Sequence, residues 1–307
     1  MQACIDIGGT KVAVSLNNGR DRVLLARRSE ATAVTGNNDA LALQVVRLVD
    51  EACAELGADS GQVQEAGVAS CGPFVIRDGC IELAAPNLCG GIAGPARGLP
   101  NAWTTALLEA PLRTRFAKLR VENDGIAALE AERRWGALQG LDHCAYVTWS
   151  TGVGVGLCVD GRPLRGKNGN AGHAGHMFVS DNEDALCGCG NVGDVEGLVS
   201  GNAIERRFGS PAPELLERAQ AGEPAAVAAV DELCRVLGRA LYNLVATLDL
   251  QRVSIGGGVF WNHRAFLLPR LQGQLAGRLP ALTAGCELVP AGLGERVGDY
   301  AALALVG

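Results

Sequence analysis

The chain opens with a strand, a glycine-rich turn and a second strand. In "ACIDIGGTKVAVSL", residues 3 to 16, the turn lies at Gly8 and Gly9, and the alternation of "VAVSL" predicts a second strand rather than a helix. A Walker loop would end in Gly-Lys and then Ser or Thr, and a Rossmann turn would lead into a helix. Glycine lets backbone N–H groups approach an anion closely. The turn is therefore a candidate phosphate site, with a plain hairpin as the structural alternative.

The same order recurs in the middle of the chain. The segments "CAYVTW" and "GVGVGLCVDG" are predicted strands, and they lie on either side of a second turn, "STG", at residues 150–152. Each hairpin is followed by a mixture of predicted strands and helices. The repetition predicts two similar α/β halves with a nucleotide in the cleft between them, and chance similarity of two short patterns is the alternative.

The remaining periodicities predict a mixed α/β chain. Apolar residues at helical spacing predict a helix over 37–57 that ends at Gly57. The strand "LRVEND" runs into the helix "GIAALEAERRWGA", with Asn123 or Asp124 as its N-cap. The other predicted elements are the strand "QEAGVAS" closed by "CGPF", a loop rich in Pro and Gly at 85–100, helices over about 195–250, the strand "RVSIGGGV" followed by a helix, the strand "CELVP" and the terminal helix "VGDYAALALV".

Composition excludes several classes of partner. The 307 residues suit one large domain or two ordinary ones, and 48% hydrophobic residues provide ample core. The formal net charge is −6 and long basic runs are absent, which argues against nucleic acid. Aromatic residues make up 4% of the chain, so we expect a polar ligand to be held mainly by hydrogen bonds.

The cysteines indicate the redox compartment. There are eleven, an odd number, and most lie in apolar stretches, as buried reduced thiols do in a cytosolic protein. The ones in such stretches are Cys4, Cys53, Cys71, Cys144, Cys158 and Cys234. No signal-peptide pattern and no membrane-spanning apolar run occur. We therefore expect a cytoplasmic protein without a membrane partner.

One loop has the residue types of a metal site. His173 and His176 lie in "HAGH", and Cys187 and Cys189 follow in "CGC". Thiolates and an imidazole in one loop suit structural zinc, which prefers four N or S ligands in a tetrahedron. Two buried cysteines and a solvated histidine are the alternative.

Five segments, taken together, resemble the ROK family of bacterial sugar kinases. They are "DIGGTK", "APNL", "VENDGIAALEAE", "STGVGVGLCVDGRPLRGKNGNAGHAGH" with "CGCGNVGDVEGLVSG", and "IGGGV". The resemblance implies a duplicated α/β fold of the actin/hexokinase (ribonuclease H-like) type, with two domains and a cleft between the halves. The domains would be 1–120, closed by a C-terminal helix at 295–307, and 121–294, which carries the zinc-binding loop.

The resemblance also implies an ATP site with Mg²⁺. In the family the two glycine turns embrace the ATP phosphates, three further glycines lie against the adenosine, and Asp6 helps to position Mg²⁺ through water. Carried over to this chain, the phosphate residues are Gly8, Gly9, Thr10 and Lys11 in the first turn and Thr151, Gly152 and Gly154 in the second, and the adenosine residues are Gly256, Gly257 and Gly258.

Asp124 corresponds to the family's catalytic base. A sugar hydroxyl is a poor nucleophile, and a carboxylate beside it accepts its proton. Sequence alone leaves a helix N-cap as the alternative role. The resemblance implies that Asp124 and its neighbours contact the sugar, and the further sugar ligands would be Asn87, Asn123, His173, His176 and Glu196.

The chain departs from the family pattern at two positions. The family's zinc motif has a third Cys where this chain has Asp194, so the fourth ligand beside His176, Cys187 and Cys189 is either Asp194 or His173. At residue 173 the family more often has Glu, and "GHxGH" resembles the variant of bacterial N-acetylmannosamine kinases. This histidine favours an N-acetylmannosamine-type substrate.

The prediction is an ATP-dependent kinase that phosphorylates a hexose or amino-hexose, most readily at the 6-hydroxyl. Glucose, kanosamine and cyclitols remain alternative acceptors, and the family implies a homodimer. ROK repressors carry a helix-turn-helix domain first, and we expect none because the first strand begins almost at Met1. A non-catalytic sugar sensor is disfavoured by Asp124 and "DIGGTK", and a phosphatase or chaperone of this fold class is disfavoured by the metal loop.

Overall fold

The computed structural model describes residues 1–93, 97–181 and 185–307. Part of the predicted loop at 85–100 and part of the predicted metal loop therefore lie outside the described residues. The chain forms two compact units, each described here by itself. Unit 1 comprises Met1–Ala131, Arg165–Ala171 and Gly298–Gly307, and unit 2 comprises Glu132–Leu164 and Gly172–Val297.

Strands and helices alternate along most of the chain. The strands are β1 (Gln2–Ile7), β2 (Lys11–Asn17), β3 (Leu24–Ala31), β4 (Glu65–Ser70), β5 (Phe74–Arg77), β6 (Cys80–Leu83), β7 (Ala106–Leu107), β8 (Lys118–Asn123), β9 (Cys144–Trp149), β10 (Val153–Val159), β11 (Arg162–Pro163), β12 (Arg252–Gly256) and β13 (Glu287–Pro290). The α-helices are α1 (Ala40–Glu55), α2 (Glu109–Arg115), α3 (Asp124–Trp135), α4 (Val195–Val199), α5 (Gly201–Phe208), α6 (Ala212–Gln220), α7 (Pro224–Leu248), α8 (Gly258–Trp261), α9 (Arg264–Leu275), α10 (Pro280–Thr283) and α11 (Val297–Leu303).

The main sheet of unit 1 has the order β3-β2-β1-β4-β8. β1 and β2 form an antiparallel hairpin, whereas β1, β4 and β8 are parallel. α1 packs its buried face on the sheet and ends before Gly57, whose φ of +64° suits the residue after a helix. The core combines Ile5, Ile7, Val12 and Val14 of the sheet with Leu41, Val45, Leu48 and Val49 of α1.

The sheet of unit 2 has the order β11-β10-β9-β12-β13. β9 and β10 are antiparallel, and β9, β12 and β13 are parallel. The long helix α7 has apolar residues at helical spacing, and they pack into the core of this unit. Its core includes Val147, Trp149, Val253, Ile255, Leu233, Leu237, Leu241, Leu267 and Leu271.

The two sheets share one topology. Each has an antiparallel hairpin whose first strand lies beside two parallel strands, and each has a further antiparallel strand outside the hairpin. The predicted duplication of two α/β halves is therefore confirmed. The glycine turn of each hairpin occupies the same position in its sheet.

Some local predictions differ from the structure. β3, the small sheet β5-β6-β7 and α2 were not predicted, because β5, β6, β7 and α2 are too short to show a period and β3 lacks a clear alternation. The helix after "IGGG" begins within the glycines, at Gly258, and the terminal helix is shorter than predicted, at Val297–Leu303. Cys71 is half-buried rather than buried. Across 1–93, 97–181 and 185–307, no helix is long and apolar enough to cross a membrane.

Candidate active site and metal cluster

Unit 1 brings its predicted phosphate turn and Asp124 to one edge of its sheet. The register places Ile7, Ser70 and Asn123 side by side at the carboxyl ends of β1, β4 and β8. The turn after β1 and Asp124 after β8 therefore leave the sheet at the same edge. This edge is where α/β sheets bind ligands.

The first glycine turn is tight. The N–H of Gly8 donates to the carbonyl oxygen of Lys11 at 2.8 Å, and Thr32 Oγ1 donates to the carbonyl of Gly8 at 2.8 Å. A Cβ at position 9 would lie 1.5 Å from Asn87 Nδ2. Glycine at this position therefore lets the side chain of Asn87, a predicted sugar ligand, lie directly against the turn.

Two carboxylates belong to this edge, Asp6 and Asp124. Burial, and after it the negative charge of Asp124, raises the pKa of Asp6 to about 6, whereas Arg27 and Lys11 oppose the shift. Two like charges influence each other in this way only when they lie close together. The pair provides the oxygen donors that a hard divalent cation prefers.

At the start of α3, Asn123 and Asp124 both take part in capping the helix. The N–H of Gly125 lies 3.0 Å from Asn123 Oδ1 and 2.8 Å from Asp124 Oδ1, so both side chains help to cap the helix. Asn123 is 5% exposed, whereas Asp124 is exposed. The capping contact of Asp124 is made through Oδ1 of its carboxylate.

Sequence reasoning missed two residues near Asp6. Arg27 of β3 forms an ion pair with Asp299 of α11, and both line a small cavity of about 10 Å³ together with Asp6. Arg27 and Asp299 are separated by 272 residues in the chain. No sequence pattern could have linked them, because the pairing depends on α11 returning to unit 1.

In unit 2, Glu196 supports the second glycine turn. Glu196 Oε2 accepts a hydrogen bond from the N–H of Val153 at 2.9 Å. A Cβ at Gly152 would lie 2.7 Å from the same oxygen, and one at Gly154 would lie 3.1 Å from the methyl group of Thr148. Thr151, in the same turn, is exposed. Glycine at 152 and 154 thus permits close packing under the turn.

The three glycines after β12 differ from one another. A Cβ at Gly256 would lie 2.7 Å from the hydroxyl of Tyr146. Gly257 has a φ of +90°, and a Cβ there would lie 2.4 Å from the carbonyl oxygen of Trp149. At Gly258, which is exposed, no described atom lies within 4 Å of such a Cβ. The fold itself requires glycine at 257, Gly256 packs against the Tyr146 side chain, and Gly258 faces open space.

Unit 2 also brings together four potential metal ligands: His176, Cys187, Cys189 and Asp194. One ligand atom from each lies within 4.8 Å of all the others. Nδ1 of His176 lies 3.1 Å from Asp194 Oδ2, 3.8 Å from Cys187 Sγ and 3.6 Å from Cys189 Sγ. A cation held at this centre would use Nδ1 of the imidazole, which leaves Nε2 for a second partner.

Asp194 is anchored by the backbone as well as by the cluster. It is fully buried, and its Oδ1 accepts the N–H of Gly197 at 2.7 Å as the N-cap of α4. Burial opposes ionisation, but hydrogen bonds from His176 and Gly197 lower the pKa of Asp194. The carboxylate therefore stays ionised, with Oδ2 directed at the cluster.

The pKa values of His176 and Cys187 are both raised, which favours their protonated forms. The hydrogen bond to Asp194 raises the pKa of His176, against the effect of burial. Burial raises the pKa of the Cys187 thiol. Thiolates and neutral imidazole bind metal, so metal binding here would release protons.

His173 is not one of these four residues. Its ring centroid lies 6.1 Å from that of His176, with the planes 26° apart. The flanking glycines, Gly172 and Gly175, pack so closely on β10 that a Cβ at either would lie 2.2 Å from a carbonyl oxygen of that strand. Between the two residues that the sequence left open, the structure groups Asp194 with the cluster.

The duplicated topology, with a glycine turn in each half, defines a two-domain α/β fold of the actin and hexokinase type. The ROK family matches residues 2–307, and the chain belongs to the ROK family. It is 31% identical to the glucokinase of Aeropyrum pernix, over 98% of this chain and 95% of that protein.

Two further comparisons agree with this family. The chain is 32% identical to an N-acetylmannosamine kinase of Haemophilus influenzae, over 83% of this chain and 79% of that protein. The crystal structure of the ROK hexokinase from Thermus thermophilus superimposes with a TM-score of 0.75 at 31% identity, covering 99% of this chain and 97% of that one. The predicted family and fold are confirmed.

Proposed function

We propose that this protein is an ATP-dependent kinase that phosphorylates a hexose or amino-hexose hydroxyl. The observation that carries the proposal is the arrangement in unit 1, where the glycine turn after β1 and Asp124 after β8 leave the sheet at the same edge. Phosphoryl transfer needs positioning and electrostatic stabilisation more than covalent chemistry. This edge of the sheet carries both a glycine turn that can approach phosphates and a carboxylate that can accept a proton.

In the proposed reaction Asp124 is the general base. Its carboxylate accepts the proton of the sugar hydroxyl while the hydroxyl oxygen forms a bond to the γ-phosphorus of ATP. The bond between that phosphorus and the bridging oxygen of ADP breaks, and ADP leaves with the electron pair. A positioned base contributes roughly 10²–10⁴-fold to such a step.

The two turns would hold the nucleotide. The turn residues Gly8, Gly9, Thr10 and Lys11 meet its phosphates in unit 1, while the N–H of Gly8 itself closes the turn on the carbonyl of Lys11. In unit 2 the phosphate contacts come from Thr151, Gly152 and Gly154, and Gly256, Gly257 and Gly258 lie against the adenosine. Mg²⁺ bound to ATP would neutralise phosphate charge. Burial, and after it Asp124, raises the pKa of Asp6 to about 6, and a nearby cation would favour its ionised form.

The four-residue cluster of His176, Cys187, Cys189 and Asp194 would hold structural zinc. Two sulfur atoms, an imidazole nitrogen and a carboxylate oxygen match the donor atoms zinc prefers. Sγ of Cys187 lies 3.6 Å from Glu196 Oε1, so the loop that the metal holds braces Glu196 by packing against it. We propose that the brace presents Glu196 and Nε2 of His176 to the sugar.

For the substrate we propose N-acetylmannosamine ahead of glucose, with kanosamine and cyclitols as alternatives. The remaining sugar contacts come from Asn87 and Asn123 in unit 1 and His173 in unit 2. A neutral imidazole at residue 173 can donate to an acetamido carbonyl, whereas a carboxylate only accepts. We also propose that the protein forms a homodimer. The proposed domains are 1–120, closed by the helix 295–307, and 121–294.

An acceptor screen tests the function. With ATP and Mg²⁺ held constant, kcat/KM is measured for glucose, mannose, glucosamine, kanosamine and N-acetylmannosamine. If the protein phosphorylates none of these sugars, the kinase proposal is contradicted. A clear preference for glucose contradicts the amino-sugar proposal alone. A His173→Glu variant that keeps the same ranking shows that His173 does not select the substrate.

A further inference from the structure

The segment Arg165–Ala171 belongs to unit 1 although the chain on either side of it belongs to unit 2. The N–H of Ala171 donates to the carbonyl of Arg165 at 2.9 Å and closes the segment into a loop. Arg165 Nε donates to Glu122 Oε1 of β8 at 2.7 Å. The segment is therefore an ordered loop that is fixed to unit 1 at its first residue.

Asn170 fixes the other end of this loop to the backbone of Phe74. Asn170 Oδ1 accepts the N–H of Phe74 at 2.7 Å, and Asn170 Nδ2 donates to the carbonyl oxygen of Phe74 at 2.8 Å. A primary amide is a side-chain group that can both accept from the N–H and donate to the carbonyl oxygen of one residue. Phe74 is itself anchored, because its side chain is 1% exposed.

This contact is part of a short path between two proposed sugar ligands. On one side, Phe74 lies four residues after Ser70, whose carbonyl oxygen accepts from Asn123 Nδ2 at 3.5 Å. On the other side, the chain runs from Asn170 through Ala171 and Gly172 to His173. Gly172, between them, has a φ of +91° and packs on β10.

We propose that Asn170 is a positioning residue for the sugar. Its two hydrogen bonds to Phe74 set where the chain enters the loop that carries His173, and they do so from the segment that also supports Asn123. The inference rests on the proposed function and deepens it. Asn170 has no assigned contact with ATP, so its loss should affect the sugar and spare the nucleotide.

The test is steady-state kinetics of Asn170→Ala, Asn170→Asp and Lys167→Ala. The sugar is glucose or N-acetylmannosamine, whichever the wild-type enzyme phosphorylates with the higher kcat/KM. Losing two hydrogen bonds should raise the KM for sugar by about tenfold in Asn170→Ala, with the KM for ATP within about twofold. Asn170→Asp keeps the acceptor for the Phe74 N–H and should show a smaller rise. Lys167 is exposed in the same loop, and its variant should match the wild type.

The outcomes separate the two proposals. Wild-type protein that phosphorylates neither sugar contradicts the proposed function. Active wild-type protein together with equal changes in both KM values, or with a lowered melting temperature and unchanged kinetics, overturns the positioning role. If Asn170→Ala does not fold, the graded comparison of Asn170→Asp and Asn170→Ser with the wild type decides the question in the same way.

Discussion

Glu196 Oε2 accepts the backbone N–H of Val153 at 2.9 Å, and this contact joins a proposed sugar ligand to the turn proposed to bind phosphate. The other oxygen of the same carboxylate lies 3.6 Å from Cys187 Sγ in the metal cluster. Three parts of unit 2 therefore meet at one side chain. A change at Glu196 should therefore alter the KM values for both the sugar and ATP.

Glu196→Gln tests this junction. The amide oxygen can still accept the Val153 N–H, but the negative charge of the carboxylate is lost. We expect the KM values for sugar and for ATP both to rise, each by about fivefold or more, because a charge-assisted hydrogen bond is replaced by a weaker one. Exposed Glu295, also in unit 2, provides the control Glu295→Gln. A rise in the KM for sugar alone would mean that Glu196 does not support the phosphate turn.

Gly258→Ala tests the adenosine contact. No described atom would touch the new methyl group, so the protein should fold normally. If adenosine lies against Gly258, the KM for ATP should rise by about tenfold with an unchanged KM for sugar. Gly273→Ala is the matched control, because position 273 is equally open. A normal KM for ATP in Gly258→Ala would exclude this position from the nucleotide site.

Asp124→Asn should abolish most of the catalytic activity without loss of the fold. The amide retains Oδ1 as an acceptor for the N–H of Gly125 but cannot take a proton from the sugar. We expect kcat to fall by at least about 10²-fold, with ATP binding retained. Asp160→Asn is a suitable control, since Asp160 is exposed and its φ of +50° suits asparagine. Near-normal turnover of Asp124→Asn would remove this residue from the mechanism.

The titration of Asp6 should respond to the same variant. The pKa of Asp6 is raised to about 6 from an ordinary 3.8, first by burial and then by Asp124. Asp124→Asn should therefore lower the pKa of Asp6, although it should stay above 3.8 because burial remains. Carboxyl ¹³C NMR of nucleotide-free protein measures this value. An unchanged pKa of Asp6 would show that the two carboxylates are not coupled.

The raised pKa of Asp6 makes the free energy of unfolding depend on pH. A carboxyl group whose pKa is higher in the folded than in the unfolded state destabilises the fold when it ionises. The contribution is absent below pH 3.8 and develops as pH rises through about 6. The fall in the free energy of unfolding over this range should be smaller in Asp124→Asn than in the wild type.

Elemental analysis tests the metal cluster. We expect one zinc per chain, and Cys187→Ala should release it and loosen the loop. Asp194→Cys should retain or tighten zinc, since it restores a third thiolate. Cys286→Ala, outside the cluster in the same unit, should leave the zinc content unchanged. Folded, active protein without metal would contradict a structural zinc site.

Much of this molecule was predictable from local sequence. The hairpins around Gly8 and Gly152, helix α1 with its end before Gly57, and the duplicated order of elements were predicted and are present. These features depend on alternation, helical spacing and glycine conformation over a few neighbouring residues. The metal-binding residue types were recognised for the same reason, because they lie within about twenty residues of one another in the chain.

The tertiary structure decided what depends on distant parts of the chain. It grouped Asp194 rather than His173 with His176 and the cysteines, and it showed that Gly257 serves the fold whereas Gly258 faces open space. It also joined Asn170 to Phe74, which are 96 residues apart. Such contacts arise when separate elements pack together, so their partners are set by three-dimensional packing and by the need to satisfy buried polar groups, neither of which a local sequence pattern contains.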